Sequence, residues 1–176
     1  MDNFINIHFS DGTEKEIPKN TSCLELAKEK QSAFKYDIIA AKIDNRLVEL
    51  NTKVVASCHI EFLDLSTHEG NEVYVRGLKY LFIKAVKEVM GYTIGIRIEH
   101  SLDKGIYCEI LDNINEEVVN SIENKMRELV TANIAFERIT VTRKDAIDYF
   151  KQINRPDKVG TLNFITQTNV TLYRFD

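Results

Sequence analysis

The first 65 residues limit the fold most tightly, because they surround one well-capped helix with short alternating segments. Phe4 to Phe9 (FINIHF) alternates apolar and polar residues, the period of a strand with one buried face. In the following SDGTEKEIP, Asp11-Gly12 is a two-residue turn signal, so a second strand is expected to fold back antiparallel on the first. Thr21-Ser22 then precede CLELAKEKQ, with Glu25 three residues after Ser22. This is the spacing of a capping box, in which a hydroxyl and a carboxylate satisfy the orphan N–H groups, and it predicts a helix from about Cys23 to Lys30. Further strands are expected in DIIAAKID, RLVEL and HIEFLDL, with Asp44-Asn45 as the tight turn between the first two.

Strand, strand, helix and three short strands is the β-grasp order, in which one helix lies across a mixed sheet. Ser66 to Glu72 (STHEGNE) reads as a polar linker, and a second domain is expected to begin near Glu72. It opens with a helix from Tyr74 to Met90, closed by Gly91. On that helix Leu78, Leu81, Phe82, Ala85 and Val89 share one face while Arg76, Tyr80, Lys84 and Lys87 share another. YTIGIRIEH and GIYCEIL are expected as paired strands joined by SLDKG, followed by an amphipathic helix from Asn115 to Val130. FERITV is the next strand, leading into a helix with Thr142 as N-cap and Asp145 at its third position that ends near Asn154-Arg155-Pro156. LNFIT and VTLYRF are read as closing strands. The class is α+β, as a domain over residues 1–66 and another over 71–176.

Composition, 44% hydrophobic and 28% charged, is that of an ordinary globular chain. The net charge of −4 arises wholly within residues 1–70, so a nucleic-acid contact would need a local basic patch rather than a bulk positive field. No apolar run approaches the roughly 20 residues of a membrane helix, and no basic-then-apolar segment follows Met1. The expected location is the cytoplasm, with no membrane partner. Cys23, Cys58 and Cys108 lack a C-x-x-C pairing and read as buried free thiols. His8, His59, His68 and His100 lack ligand spacing. Glu99, Asp103 and Glu109 read as cross-strand, turn or rim charges rather than an acid/base pair, and Lys104-Gly105 as turn residues. His100 with Cys108 is a further candidate pair whose adjacency the sequence does not establish.

Two sets of strings carry a resemblance. INIHFSDGTEKEIPKNTSCLELA with AAKIDNRLVELNT resembles a TGS domain, the ubiquitin-like β-grasp module of threonyl-tRNA synthetases, some GTPases and nucleotide-signalling enzymes. KAVKEVMG, IGIRIEH with GIYCEI, and FERITVTRKDAIDYFKQIN resemble the second additional domain of threonyl-tRNA synthetase, which edits mischarged tRNA. In that family two helix histidines four apart, a cysteine and a third histidine form a metal-like constellation. Counting back from Ala85-Val86-Lys87, the two helix positions are Arg76 and Tyr80; the cysteine position falls on Tyr173, and the chain reaches Asp176 before the last histidine. Arginine keeps its proton and cannot act as a ligand. The resemblance therefore implies a kept scaffold with lost zinc ligands, truncated at its C-terminal end.

A kept scaffold without ligands resembles the N-terminal part of a bacterial uridine kinase-like (nucleoside kinase) family, in which these two modules precede a P-loop kinase domain. G-x-x-x-x-G-K-[ST] does not occur in this sequence, so ATP and Mg are expected only for a downstream kinase, with no catalytic residue, metal or cofactor in these residues. Arg76, Tyr80, Lys84, Tyr173 and Arg174 are the candidate ligand-binding residues of the vacated pocket. Guanidinium and ammonium groups suit phosphate, and tyrosine rings suit base stacking, so RNA, tRNA or a nucleotide is the candidate partner. The bland alternative is a solvated helix face with Tyr173 filling vacated volume. The leading expectation is a non-catalytic binding or regulatory region of a nucleoside kinase-like protein. The alternatives are an aminoacyl-tRNA deacylase acting without metal and a structural module pairing through its sheet edge.

Overall fold

A computed structural model describes residues 3–102 and 105–175, with the side chains of residues 100–102 excepted. The chain divides into two compact units, Met1–Ile122 and Glu123–Asp176. Both mix sheets with helices, and five α-helices occur among the described residues. Asp103, Lys104, Asp176 and the His100 side chain lie outside the described set, and with them the proposed turn chemistry, the His100–Cys108 pair and the chain end.

The first unit begins as the alternation dictates. Strands β1 (Phe4–Phe9) and β2 (Glu14–Pro18) pair antiparallel, Ile5 against Ile17 and Ile7 against Lys15. Gly12 takes the positive φ of 82° that the turn requires. A two-residue strand β3 (Thr21–Ser22) leads into helix α1 (Cys23–Lys30). Ser22 Oγ accepts from the Glu25 N–H at 3.3 Å, and the Ser22 N–H donates to Glu25 Oε2 at 3.0 Å, completing the capping box. After a 3-10 turn at Gln31–Ala33, β4 (Ala40–Ile43) turns through Asp44 and Asn45, both at positive φ, into β5 (Arg46–Val48). Strand β6 (Lys53–Val54) pairs with β3, and β7 (Cys58–Leu63) enters the centre of a five-stranded sheet ordered β2-β1-β7-β4-β5. Only the β1–β7 pairing is parallel in that mixed sheet. Alternate residues Ile5, Ile7, Phe9, Ile17, Ile60 and Phe62 meet Cys23, Leu26 and Ala27 of α1 in one hydrophobic cluster. The β3–β6 pair is absent from the pattern reading because two-residue strands carry no alternation.

One expectation is corrected directly after β7. Ser66 to Glu72 is not a linker running to Tyr74: helix α2 spans His68–Met90. Thr67 caps it by accepting the Gly70 N–H at 3.1 Å, while the Thr67 hydroxyl donates to the Asp64 carbonyl at 2.8 Å. Asp64 is 2% exposed, and its carboxylate accepts from the Tyr36 N–H and from the Ser66 N–H and hydroxyl. Lys42 Nζ on β4 donates to Glu69 at 2.7 Å and lies 3.5 Å from Glu61. Polarity in this stretch thus reflects capping and ion pairing, which a composition reading cannot separate from a loop. Gly91, at φ 103°, ends the helix as expected. Strands β8 (Ile96–Leu102) and β9 (Gly105–Ile110) form a hairpin with an irregularity between Ile98 and Ser101.

Helix α3 spans Glu116–Ala132, one residue later at its start and two later at its end than expected; Asn115 Oδ1 accepts the Val118 N–H at 2.9 Å. Within the second unit, β10 (Glu137–Thr142) leads into α4 (Arg143–Gln152), with the Thr142 hydroxyl accepting from the Asp145 N–H as anticipated. The second correction follows. LNFIT is not a strand: α5 spans Pro156–Phe164, and β11 (Asn169–Arg174) is the antiparallel partner of β10. Pro156 has the fixed φ that suits a first helical position. Arg155 meets Asp157 through two hydrogen bonds, 2.9 and 2.8 Å, and Leu162 is buried with Ala146 and Val170.

Candidate functional site

The long helix α2 determines what the first group of candidate residues can do. Arg76, Tyr80 and Lys84 recur every fourth residue, so they fall along one face. Arg76 is exposed and Tyr80 is 43% exposed. Lys84 departs from the expected solvated row: its side chain is 17% exposed and its ammonium lies 3.0 Å from Glu88. Leu78, assigned to the apolar face, is the more exposed of the two at 36%. Its head finds a carboxylate one turn on, so the simple two-face picture does not hold. Ala85 and Val86 form the buried stripe of this helix. Tyr74, 49% exposed, shares a face with Leu78 one turn on, while Arg76 shares its face with Tyr80.

Tyr173 and Arg174 lie in the second unit, on β11. Arg138 faces Tyr173 and Glu137 faces Arg174 across the ladder, with an ion pair between the Arg174 guanidinium and the Glu137 carboxylate. As consecutive strand residues, Tyr173 and Arg174 leave opposite faces of the ladder, so they do not form one surface together. Phe136 stacks on Phe175 just outside the pair, with ring centroids 4.4 Å apart. The five candidate residues are therefore divided between the units, three on α2 and two on β11.

Arg76 and Tyr80 on α2 do not suit a metal ion. Arg76 brings a fixed positive charge, and neutral tyrosine is a poor ligand compared with thiolate or imidazole. Among the described residues, no three His, Cys, Asp or Glu side chains group as a metal site. The thiols are not poised as nucleophiles either. Burial pushes Cys23 up to about 11, with Cys58 nearby adding to the rise, and burial also raises Cys58 and the half-buried Cys108. Glu109 pairs across the hairpin with Arg97 at 3.3 Å, as the cross-strand reading expected.

A second group of polar residues escaped the sequence reading. A cleft of about 470 Å³ lies within the second unit, between α4 and the chain segment around the end of α5. Its basic side chains, Arg143, Lys144 and Lys151, sit at helical spacing on α4 and were visible as charges. The opposite wall was not visible, because it depends on Asn163 ending a helix rather than continuing a strand.

No protein-family model matches the chain. Its sequence is 32% identical to the threonine–tRNA ligase of Syntrophotalea carbinolica, over 97% of this chain and 27% of the ligase. The corresponding enzyme of Ehrlichia chaffeensis is 28% identical over 97% of this chain and 27% of its own length, and that of Clostridium kluyveri is 25% identical over 94% and 26%. Its homologues are threonyl-tRNA synthetases. The chain spans about a quarter of the length of these curated relatives. They support a synthetase-related, editing-like module and lend nothing to the uridine kinase-like assignment. No helix among the described residues is long and apolar enough to cross a membrane.

Proposed function

We propose that this chain is a synthetase-type accessory module that engages tRNA without carrying metal-dependent editing chemistry. The observation that carries the proposal is similarity to threonine–tRNA ligases along 97% of the chain, combined with Arg76 and Tyr80 at the two helix positions where that family's resemblance calls for histidines. By resemblance rather than by compactness, residues 1–66 are assigned as a TGS-type β-grasp module and residues 71–176 as an editing-like module. The mixed five-stranded sheet with α1 in its core supports the first assignment. On the α2 face, the Arg76 guanidinium is suited to a phosphate and the Tyr80 ring to an unstacked base.

The nucleoside-kinase reading ranks below this one, since the relatives described above are tRNA ligases. Metal-independent deacylation ranks second, as a catalytic version of the same synthetase-related module. The deciding experiment measures binding of deacylated and aminoacylated tRNA to the whole chain by fluorescence anisotropy, with Arg76→Ala beside the wild type. Binding that weakens about tenfold in the variant is expected, the loss of one charge-assisted phosphate contact. Equal affinity of variant and wild type across a salt series would remove the α2 face from the proposal. Hydrolysis of the aminoacyl ester that survives chelator would replace the non-catalytic reading with the deacylase.

A further inference from the structure

We propose that the cleft in the second unit binds a ribose-phosphate unit, at a site separate from the α2 face and argued from its own residues. Three observations carry it. First, Lys144, Asp148 and Lys151 follow one another at i, i+4 and i+7 on α4, so their side chains share the face that forms one wall. Arg143 joins them from the first turn. Its Nη1 donates to the Ile165 carbonyl at 2.5 Å, and its backbone N–H donates to the Thr168 carbonyl at 2.8 Å. The guanidinium is thereby fixed at the rim by the same bonds that hold the two walls together.

Second, the opposite wall offers Asn163, Thr166 and Thr168, a carboxamide and two hydroxyls that can donate or accept. Three cations facing hydroxyl donors suit phosphate oxygens, and the planar fork of an anchored arginine suits them in particular. Third, Asp148 sits among the cations, and no aromatic ring among the described residues lines the cleft. A carboxylate at that place opposes a bare multiply charged anion but accepts from hydroxyl groups. Without a ring to stack on, a nucleobase gains little. The volume, about 470 Å³, is in the range of small-ligand clefts. Phosphate toward Arg143, Lys144 and Lys151, with sugar hydroxyls toward Asp148 and Asn163, satisfies every charge in the cleft.

Free pentose phosphates and the RNA backbone both present this chemistry. The test uses the whole chain with three probes: ribose 5-phosphate and inorganic phosphate by calorimetry, and a fluorescent single-stranded RNA hexamer by anisotropy. The variants are Lys144→Ala/Lys151→Ala, both solvent-exposed positions on an intact helix, and Arg127→Ala, an exposed α3 position outside both sites, as the comparison. Ribose 5-phosphate or the hexamer is expected to bind, with affinity falling at least about tenfold in the double variant and staying within about twofold in Arg127→Ala. Saturation by ribose 5-phosphate identifies the free metabolite as the source; binding of the hexamer alone identifies the polymer. If neither binds at millimolar concentration, if the double variant binds as the wild type does, or if inorganic phosphate binds as tightly as the sugar phosphate, the proposal fails. Because the Lys144/Lys151 double variant leaves Arg76 intact and ribose 5-phosphate probes the cleft without a base, failure here and failure of the tRNA-binding face are read separately.

Discussion

Among single residues, Gly70 and Asp64 carry the tightest constraint in the first unit. A Cβ on Gly70 would lie 2.0 Å from the Asp64 carbonyl oxygen and 2.6 Å from Thr67 Oγ1, so no side chain fits without moving backbone. Gly70→Ala is expected to lose about 1–3 kcal/mol, the usual cost of forced overpacking, measured by urea denaturation. The Asp64 carboxylate is held below the usual carboxylate range chiefly by the Ser66 hydroxyl, with the Ser66 and Tyr36 N–H groups adding to it. Because the folded state favours the ionised form, its contribution is present above the unfolded value, about 3.9, and is lost as pH falls through the lower folded value. Acid titration of stability should therefore show a flatter acid limb in Asp64→Asn than in the wild type, together with lower stability at neutral pH. An unchanged acid limb would mean that Asp64 does not couple folding to pH.

Elements show where sequence reading works and where it stops. Ser22 with Glu25, and Thr142 with Asp145, were legible because a cap is written in residues three apart, and both are formed. Ser22→Ala and Thr142→Ala should each cost about 1 kcal/mol in denaturant melts, with Gly at the same positions costing only a few tenths. The alternation in FINIHF was equally legible, since one face of that strand is buried. The segment LNFIT was misread because five residues with three apolar side chains fit a short strand or the end of a helix equally well. Only the preceding Pro156, the Arg155–Asp157 pair and the burial of Leu162 decide it. That error also hid the cleft, whose second wall exists only if α5 is a helix. On α2 the four-residue recurrence of Arg76, Tyr80 and Lys84 was legible, but the burial of Lys84 beside Glu88 required the folded chain.

For the whole molecule, charge sets the terms on which a polyanion can bind. With a net charge of −4, contacts must come from local groups, so the salt dependence of tRNA binding should be shallow, with a slope near the number of contacting cations rather than a large bulk term. Purified protein is expected to hold no stoichiometric zinc by elemental analysis; a ratio near one metal per chain would overturn the lost-ligand argument. Lys42 joins the sheet to the opening turn of α2 through Glu69, and Thr67 and Gly70 build that turn directly onto the Asp64 carbonyl. The sheet and the helix therefore share a seam instead of a tether. A graft made at residue 66 cuts through that seam, whereas a recombinant junction placed beyond it keeps Glu69 with its lysine, so functional chimeras between such chains should cluster at crossovers within α2 rather than at its polar threshold.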